Sequence, residues 1–153
     1  MQPVMTLEEV RTFLKDHFPQ VNGGFFMEDV APGQTVMRLR TTTMHLRPGG
    51  TVSGPAMMTL ADVAAYTVVL AHAGPVAMAV TTNLNINFLK RPAPGDMIAT
   101  CRLLKLGKRL AVVECLLASE GDEDLCAHAT ATYSIPPRDE ARAQDGAAAV
   151  GAS

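Results

Sequence analysis

Charge is scarce in this sequence. Asp, Glu, Lys and Arg make up 18% of the 153 residues, against about 25% in an ordinary globular domain. The 13 basic and 15 acidic residues give a net charge of -2, so there is no positive field with which to bind a nucleic acid backbone. So few charges on a small domain also indicate that another subunit covers part of its apolar surface.

Cysteine is scarce as well. Cys101, Cys115 and Cys126 are an odd number, lie far apart and form no CxxC pair. A disulfide framework or a zinc site would need cysteines at closer or paired spacing. No His, Cys or carboxylate pair stands at metal-ligand spacing either. We therefore expect three reduced thiols in a cytoplasmic protein, with no metal and no cofactor.

The sequence also lacks a continuous apolar run of the ~20 residues that a membrane-spanning helix needs. Its longest uncharged stretch, residues 63–89, is interrupted by Gly74 and Pro75 and contains three asparagines. The first 16 residues carry charge where a signal peptide would have its apolar core. We expect no contact with a membrane.

The length fits one domain. Pro136 and Pro137 end the patterned part of the chain, and residues 138–153 are first charged and then rich in alanine and glycine. We expect a single domain over residues 1–137, followed by a disordered C-terminal tail.

The hydrophobic periodicity predicts a helix, a hairpin, a second helix and four more strands. Thr6 and Glu9 form a capping-box pattern, after which apolar residues follow helical spacing to Phe18. Alternation between turn signals predicts the last four strands in meander order. The predicted strands are residues 25–30, 35–43, 76–88, 97–105, 110–119 and 125–135.

The second helix, residues 54–73, is apolar on nearly every side. Ser53 can cap its start, Pro55 suits its first turn, and Gly74 can end it. A helix with no polar face must be buried. The pattern therefore predicts an α+β fold, in which a curved antiparallel sheet wraps around one long central helix beside an N-terminal helix.

One carboxylate stands out in this central helix. Asp62 is the single charged residue between Arg47 and Lys90, where average composition would give about 10. No basic residue stands three or four positions away, and an unpaired buried carboxylate costs several kcal/mol. Asp62 is therefore either a hydrogen-bonded structural residue, including one at a wet subunit seam, or a catalytic carboxylate.

Polar groups near this helix allow two interpretations. Gly54, just after the capping residue, leaves a backbone N–H that can hold an oxyanion, or it simply permits close packing. Thr81, Asn83, Asn85 and Asn87 share one face of the predicted strand. They form either a polar groove or an ordinary solvated face.

Basic residues cluster at turns and strand ends. Lys90 and Arg91 form one set, and Lys105, Lys108 and Arg109 form another. Such charges usually serve solubility, but two clusters can also bind the phosphates of a cofactor tail.

The run from Gly50 to Ala64, GTVSGPAMMTLADVA, resembles the core motif of hot-dog-fold acyl-CoA thioesterases of the PaaI, or phenylacetate-degradation, type. In that family a His-Gly-Gly opens the central helix, and an acidic residue follows nine positions after the His. The likeness covers about residues 25–135. It implies a hot-dog fold and hydrolysis of a medium-chain or aromatic acyl-CoA, with coenzyme A as part of the substrate.

The resemblance also implies roles for individual residues. Asp62 would act as general base on water or as nucleophile, and the Gly54 N–H would polarise the thioester oxygen. Thr81 would help to place the water, and Ser53 occupies the position of the motif His. The segment 105–110 borders the nucleotide in the family. With the basic and polar positions above, the predicted substrate contacts are Arg47, Asn83, Lys90, Arg91, Lys105, Gly107, Lys108 and Arg109.

In the family, the acid comes from one subunit and the helix-start N–H from its neighbour. The resemblance therefore implies a homo-oligomer with its site at the interface, a dimer at least and, as is common in the family, a homotetramer. A subunit seam would also explain a charge on an otherwise buried helix.

Three positions depart from the family pattern. Ser53 replaces the motif His, Pro55 replaces the second Gly, and Arg47 stands where Asn is often found. Pro55 has no N–H, and losing one oxyanion donor costs ~10²–10³ in rate. The alternative is therefore a catalytically weakened hot-dog protein that binds acyl-CoA or a related ligand without hydrolysis.

Overall fold

The structure is a computed structural model that describes residues 1–76 and 78–137. The tail predicted over residues 138–153 lies outside this part of the chain. The predicted order of helices and strands is confirmed. The helices and strands are α1 (Leu7–His17), β1 (Phe25–Ala31), β2 (Gln34–Leu39), α2 (Gly54–Ala73), β3 (Val80–Phe88), β4 (Met97–Leu106), β5 (Leu110–Ser119) and β6 (Ala127–Ser134).

All six strands form one antiparallel sheet around α2. The strand order is β1-β2-β4-β5-β6-β3, and α2 contacts every strand. This helix is apolar all round because the sheet surrounds it: Leu60, Val68 and Leu70 have no exposed surface. Burying a side chain of this size contributes about 1.5–3 kcal/mol. The predicted α+β hot-dog architecture with an N-terminal helix is thus confirmed.

The predicted meander is wrong for one strand. β4, β5 and β6 follow one another in space, but β3 lies at the far edge of the sheet, beside β6. A strand's own alternation shows which residues face the core, but the choice of neighbour depends on contacts distant in sequence. The chain therefore crosses from β3 at one edge to β4 in the interior of the sheet.

A β-bulge changes the predicted faces of β3. The register pairs Thr81 with Tyr133, and Asn83 with Thr132, so one extra residue, Thr82, is inserted between them. Because each added residue reverses the alternation, Thr81 faces α2 while the three asparagines face outward. The expectation that Thr81 and Asn83 share one face is therefore wrong.

The expectation of three reduced thiols is also wrong for one pair. Cys101 on β4 lies directly opposite Cys115 on β5, and a disulfide joins them inside the core. Cys126 is free and buried. The two bonded residues are 14 apart in sequence, and only the strand register reveals that they meet.

The helix α2 has the length and mean hydropathy of a membrane span, and 78% of that stretch is buried inside the fold. A core helix that a sheet encloses has the same character. Its packing against six strands accounts for its composition.

Candidate active site

Two hydroxyl groups hold the Asp62 carboxylate. Thr81 Oγ1 donates a hydrogen bond of 2.6 Å to Asp62 Oδ1, and the Tyr133 hydroxyl lies 2.6 Å from the same oxygen. Hydroxyl–carboxylate bonds this short are charge-assisted and strong. They give the lone charge of α2 the non-local partners that its sequence neighbours do not supply.

The sheet register places both hydroxyls at Asp62. Thr81 and Tyr133 are directly opposite each other on β3 and β6, so their side chains leave the same face of the sheet. The bulge after Thr81 makes this possible, because without the extra residue Thr81 would share the outward face of the asparagines. Bulges often re-aim side chains next to active sites.

The alternation of the predicted strand 125–135 puts Tyr133 on its apolar face, but it indicates no role for this residue. Its side chain is 2% exposed. Burial raises the pKa of Tyr133 well above its usual range, and the negative charge of Asp62 raises it further. The phenol therefore stays protonated and acts as a donor. A signal was present: a buried Tyr hydroxyl on a strand of small residues needs a partner.

Asp62 is half-buried and lines a cavity of about 320 Å³. The carboxylate is therefore not sealed in hydrocarbon. The walls are otherwise almost wholly apolar, which suits the acyl part of a small ligand. The lining residues are Phe18, Val21, Phe25, Met58, Thr59, Asp62, Val63 and Leu84.

The first residues of α2 are partly exposed, whereas the second half of the helix is buried. Ser53 Oγ caps the helix by accepting the Ala56 N–H at 3.2 Å. Within the described ranges no acceptor lies on the Gly54 N–H. A first-turn N–H has no partner inside its own helix, so this donor points outward with the positive end of the helix dipole.

Gly54 opens onto a second cavity, of about 450 Å³, together with the basic residues Arg47, Lys90 and Arg91. Lys90 is paired with Asp122 at 2.6 Å, and this hydrogen bond raises the pKa of Lys90. Arg47 and Arg91, by contrast, form no ion pair with any acidic residue that the structure describes. These two arginines are therefore the charges available to a ligand.

One chain does not bring Asp62 and Gly54 together. They are eight residues apart on α2, which corresponds to about 12 Å along the helix axis, and they line different cavities. A thioester carbonyl could not reach both at once. Two copies would be needed for both groups to act on one substrate.

The second basic set lies at the opposite end of the sheet. Gly107, Lys108 and Arg109 form the β4–β5 turn, and Lys105 lies beside it near the end of β4. At this turn Ile135 N donates to Arg109 O and Leu110 pairs with Ser134. Val80 at the start of β3 also pairs with Ser134, whereas Lys90 and Arg91 follow the end of β3. The nine residues of β3 separate the two sets by roughly 27 Å.

The remaining predicted residues lie apart from Asp62. Asn83 faces outward, as described above. Ser53 lines a third cavity of about 310 Å³ with His45, and its hydroxyl serves the helix cap. His45, which its sequence position placed in a loop, is buried and accepts the Thr42 N–H at Nδ1. It fixes the segment before α2.

The two edges of the sheet differ. Arg11 donates to Met27 O on β1, so a side chain occupies part of that edge. On β3 the apolar residues Val80, Phe88 and the following Leu89 are each at least 50% exposed. An exposed apolar edge strand is a surface on which another chain can pair.

No group of three His, Cys, Asp or Glu side chains within residues 1–76 and 78–137 could hold a metal ion. The described site consists of a carboxylate, two hydroxyls, a bare N–H and apolar walls.

Known proteins resemble this chain over most of its length. The family model described as Thioesterase superfamily matches residues 49–126. A candidate esterase of Pseudomonas aeruginosa is 34% identical over 116 residues, which are 74% of this chain and 84% of that protein. The crystal structure of a candidate thioesterase from Silicibacter sp. TM1040 is 49% identical, with a TM-score of 0.84, over 90% of this chain and 96% of that one.

A structure of a mutant phenylacetic acid degradation protein PaaI from Thermus thermophilus is also similar. It is 26% identical, with a TM-score of 0.68, over 77% of this chain and 99% of that one.

Proposed function

Because the chain belongs to the thioesterase superfamily, we propose that it is an acyl-CoA thioesterase that releases coenzyme A and a free acid from a medium-chain or aromatic acyl-CoA. The observation that carries this proposal is the Asp62 carboxylate, which two hydroxyls hold at the wall of an apolar cavity. The acyl group would occupy that cavity, with its thioester carbon beside the carboxylate.

The chemistry needs a base and an oxyanion donor. Asp62 takes a proton from water while the water oxygen attacks the thioester carbon. The carbonyl oxygen becomes an oxyanion, which accepts a hydrogen bond from the backbone N–H of Gly54 of the partner subunit. Collapse of this intermediate expels the coenzyme A thiolate, which takes up the proton. Direct attack by Asp62 would instead break the C–S bond, expel the coenzyme A thiolate and form an anhydride, which water then splits into the free acid and the Asp62 carboxylate.

Asp62 and Gly54 contact opposite ends of β3, and this arrangement supports a shared site. Asp62 is bonded to Thr81 at the start of β3, whereas Gly54 packs against Phe88 at its end. If two β3 edges pair antiparallel about a twofold axis, the start of one lies beside the end of the other. Asp62 of one copy then approaches Gly54 of the partner.

The same pairing supports the predicted coenzyme A contacts. It brings the basic turn of residues 105–109 to the end of the sheet where Lys90 and Arg91 of the partner subunit lie. Positive side chains from both copies would then face the phosphates of one nucleotide. The homotetramer and the cytoplasmic location stay predictions.

Replacing the carboxylate tests this proposal. Asp62→Asn keeps shape and hydrogen-bonding capacity but removes the base, so turnover should fall roughly 10²–10⁴-fold. The measurement is thiol release from hexanoyl-CoA and phenylacetyl-CoA. Asp16→Asn, at an exposed position on α1, is the matched control and should keep full activity. Equal turnover in the two variants would contradict the proposal.

A binding protein without hydrolysis is the second candidate. Pro55 supplies no N–H in the first turn of α2, and the Ser53 hydroxyl is engaged in the cap. Calorimetry with a non-hydrolysable acyl-CoA, beside the thiol-release assay, separates the candidates. Binding without thiol release from any ester favours the binding protein.

A further inference from the structure

We propose that Tyr133 is a positioning residue that, together with Thr81, restrains Asp62 Oδ1 and so leaves Oδ2 as the oxygen that reacts. The inference rests on the proposed function and adds a residue that the motif around Asp62 does not contain. It starts from the number of donors on each carboxylate oxygen.

The two oxygens of Asp62 have different surroundings. Oδ1 lies 2.6 Å from Thr81 Oγ1 and 2.6 Å from the Tyr133 hydroxyl. Oδ2 receives no hydrogen bond from any residue in the described ranges. Two donors on one oxygen fix the rotamer of the carboxylate and occupy the lone pairs of Oδ1. The oxygen with no protein donor is the one left to take a proton from water.

The Tyr133 hydroxyl also has a second acceptor. It lies 2.7 Å from the backbone carbonyl oxygen of Asp62, and a hydroxyl has one proton to donate. When Asp62 is ionised, donation to Oδ1 is the stronger bond. When Oδ2 has taken up a proton, Oδ1 is a poorer acceptor, and the Tyr133 proton can turn to the carbonyl.

The second acceptor matters when Asp62 takes up a proton. A buried hydroxyl that loses its partner destabilises the fold. Tyr133 keeps an acceptor whether Asp62 is charged or neutral, so protonation of Asp62 leaves no buried donor unsatisfied. Since Tyr133 is itself held protonated by its surroundings, it does not compete for the proton.

A second tyrosine provides a matched control. Tyr66 is also buried, its ring centroid lies 6.3 Å from that of Tyr133, and its hydroxyl contacts the carbonyl oxygen of Val76. Tyr66→Phe and Tyr133→Phe each delete one hydroxyl from the same cluster, but the second change alone removes a donor from the carboxylate. Phe fills the same volume in both.

We expect Tyr133→Phe to lower kcat roughly 10- to 100-fold, the fold-change that corresponds to one hydrogen bond to a charged group. KM for hexanoyl-CoA should change less than about 3-fold, because Tyr133 does not line the cavity proposed for the acyl group. Tyr66→Phe should stay within about 2-fold of the wild type in both kcat and KM.

The outcomes separate the two proposals. If Asp62→Asn is inactive while Tyr133→Phe matches Tyr66→Phe in kcat and KM, the positioning role is overturned and the proposed function stands. If Asp62→Asn retains full turnover, both are overturned. Thermal unfolding of each variant shows whether a loss of kcat comes from unfolding. A kcat that falls only in proportion to the folded fraction also overturns the positioning role.

Discussion

Asp62 in the third turn of α2 and Gly54 in the first turn each line a cavity, but only the polar group of Asp62 has partners from the sheet. Asp62 receives donors from residues 19 and 71 positions away. Gly54 has an N–H that no acceptor in the described part of the chain occupies. Both positions lie on one rigid helix, so the difference comes from what the sheet supplies to each.

Under the proposed function, this contrast divides the work of catalysis between two copies. A single copy completes the environment of Asp62, the proposed base, but leaves the Gly54 N–H, the proposed oxyanion donor, bare and about 12 Å away. The base must be held before substrate arrives, since a free carboxylate would rotate. The donor must stay unpaired, since an N–H already bonded cannot stabilise a developing charge.

The largest effect on the rate is expected from removing the unpaired N–H of Gly54. Gly54→Pro removes the N–H at the first helical position, where proline is common, and Ser53 before it has the extended backbone that proline requires. Because Pro55 follows, any side chain at position 54 also meets the Pro55 ring, so Gly54→Ala is the steric control. Thiol release should fall ~10²–10³-fold. Gly54→Ala keeps the N–H, and its methyl group would meet Phe88 at an ordinary distance of 3.5 Å, so it should stay near wild type. Equal rates in these two variants, at equal unfolding temperatures, would show that the donor has no role.

The next largest effect is expected in mixed dimers, which test whether Asp62 and Gly54 of one site come from different subunits. Asp62→Asn and Gly54→Pro, each nearly inactive alone, are co-expressed with different tags and purified together. If the site is shared, half of the dimers are mixed and each has one intact site of two, so activity should recover to about a quarter of wild type. If base and donor of one copy act together, no mixed dimer has an intact site, and activity does not recover.

The smallest effect is expected from removing single basic residues of the Gly54 cavity, which Arg47, Lys90 and Arg91 line. Arg91 has no acidic partner among the residues described, whereas Lys90 is held by Asp122. Arg91→Ala should therefore raise KM for acyl-CoA roughly 2- to 5-fold at low salt, and the difference should shrink at high ionic strength. Lys90→Ala should raise KM less, and Lys15→Ala on α1 should leave it unchanged. The reverse order for Lys90 and Arg91 would contradict this assignment.

Much of the fold could be predicted because its signals are local. The apolar faces of α2, the Ser53 cap and the turn glycines lie within a few residues of the structures that they define. Asp62 could be singled out for the same reason, since a lone charge in an uncharged stretch is visible without coordinates. The pairing of β3 with β6 was not visible, because the strand pattern shows faces and not neighbours.

The site could be predicted only in part. Thr81 was assigned near Asp62 by resemblance, but the reason it points there is the bulge at Thr82, which the predicted alternation excluded. Tyr133 was placed in the core without a role. The pairing of Cys101 with Cys115 was missed for the same reason as the bulge, since both depend on register.

The sequence by itself determined that one buried helix carries one charge and begins at a glycine after a capping serine, because helix periodicity and capping act over a few residues. Only the tertiary structure decided which hydroxyls hold that charge, which oxygen they leave open, and which edge of the sheet stays exposed. Those features arise from contacts between residues up to 71 positions apart. A shift of one residue in strand register would reverse them.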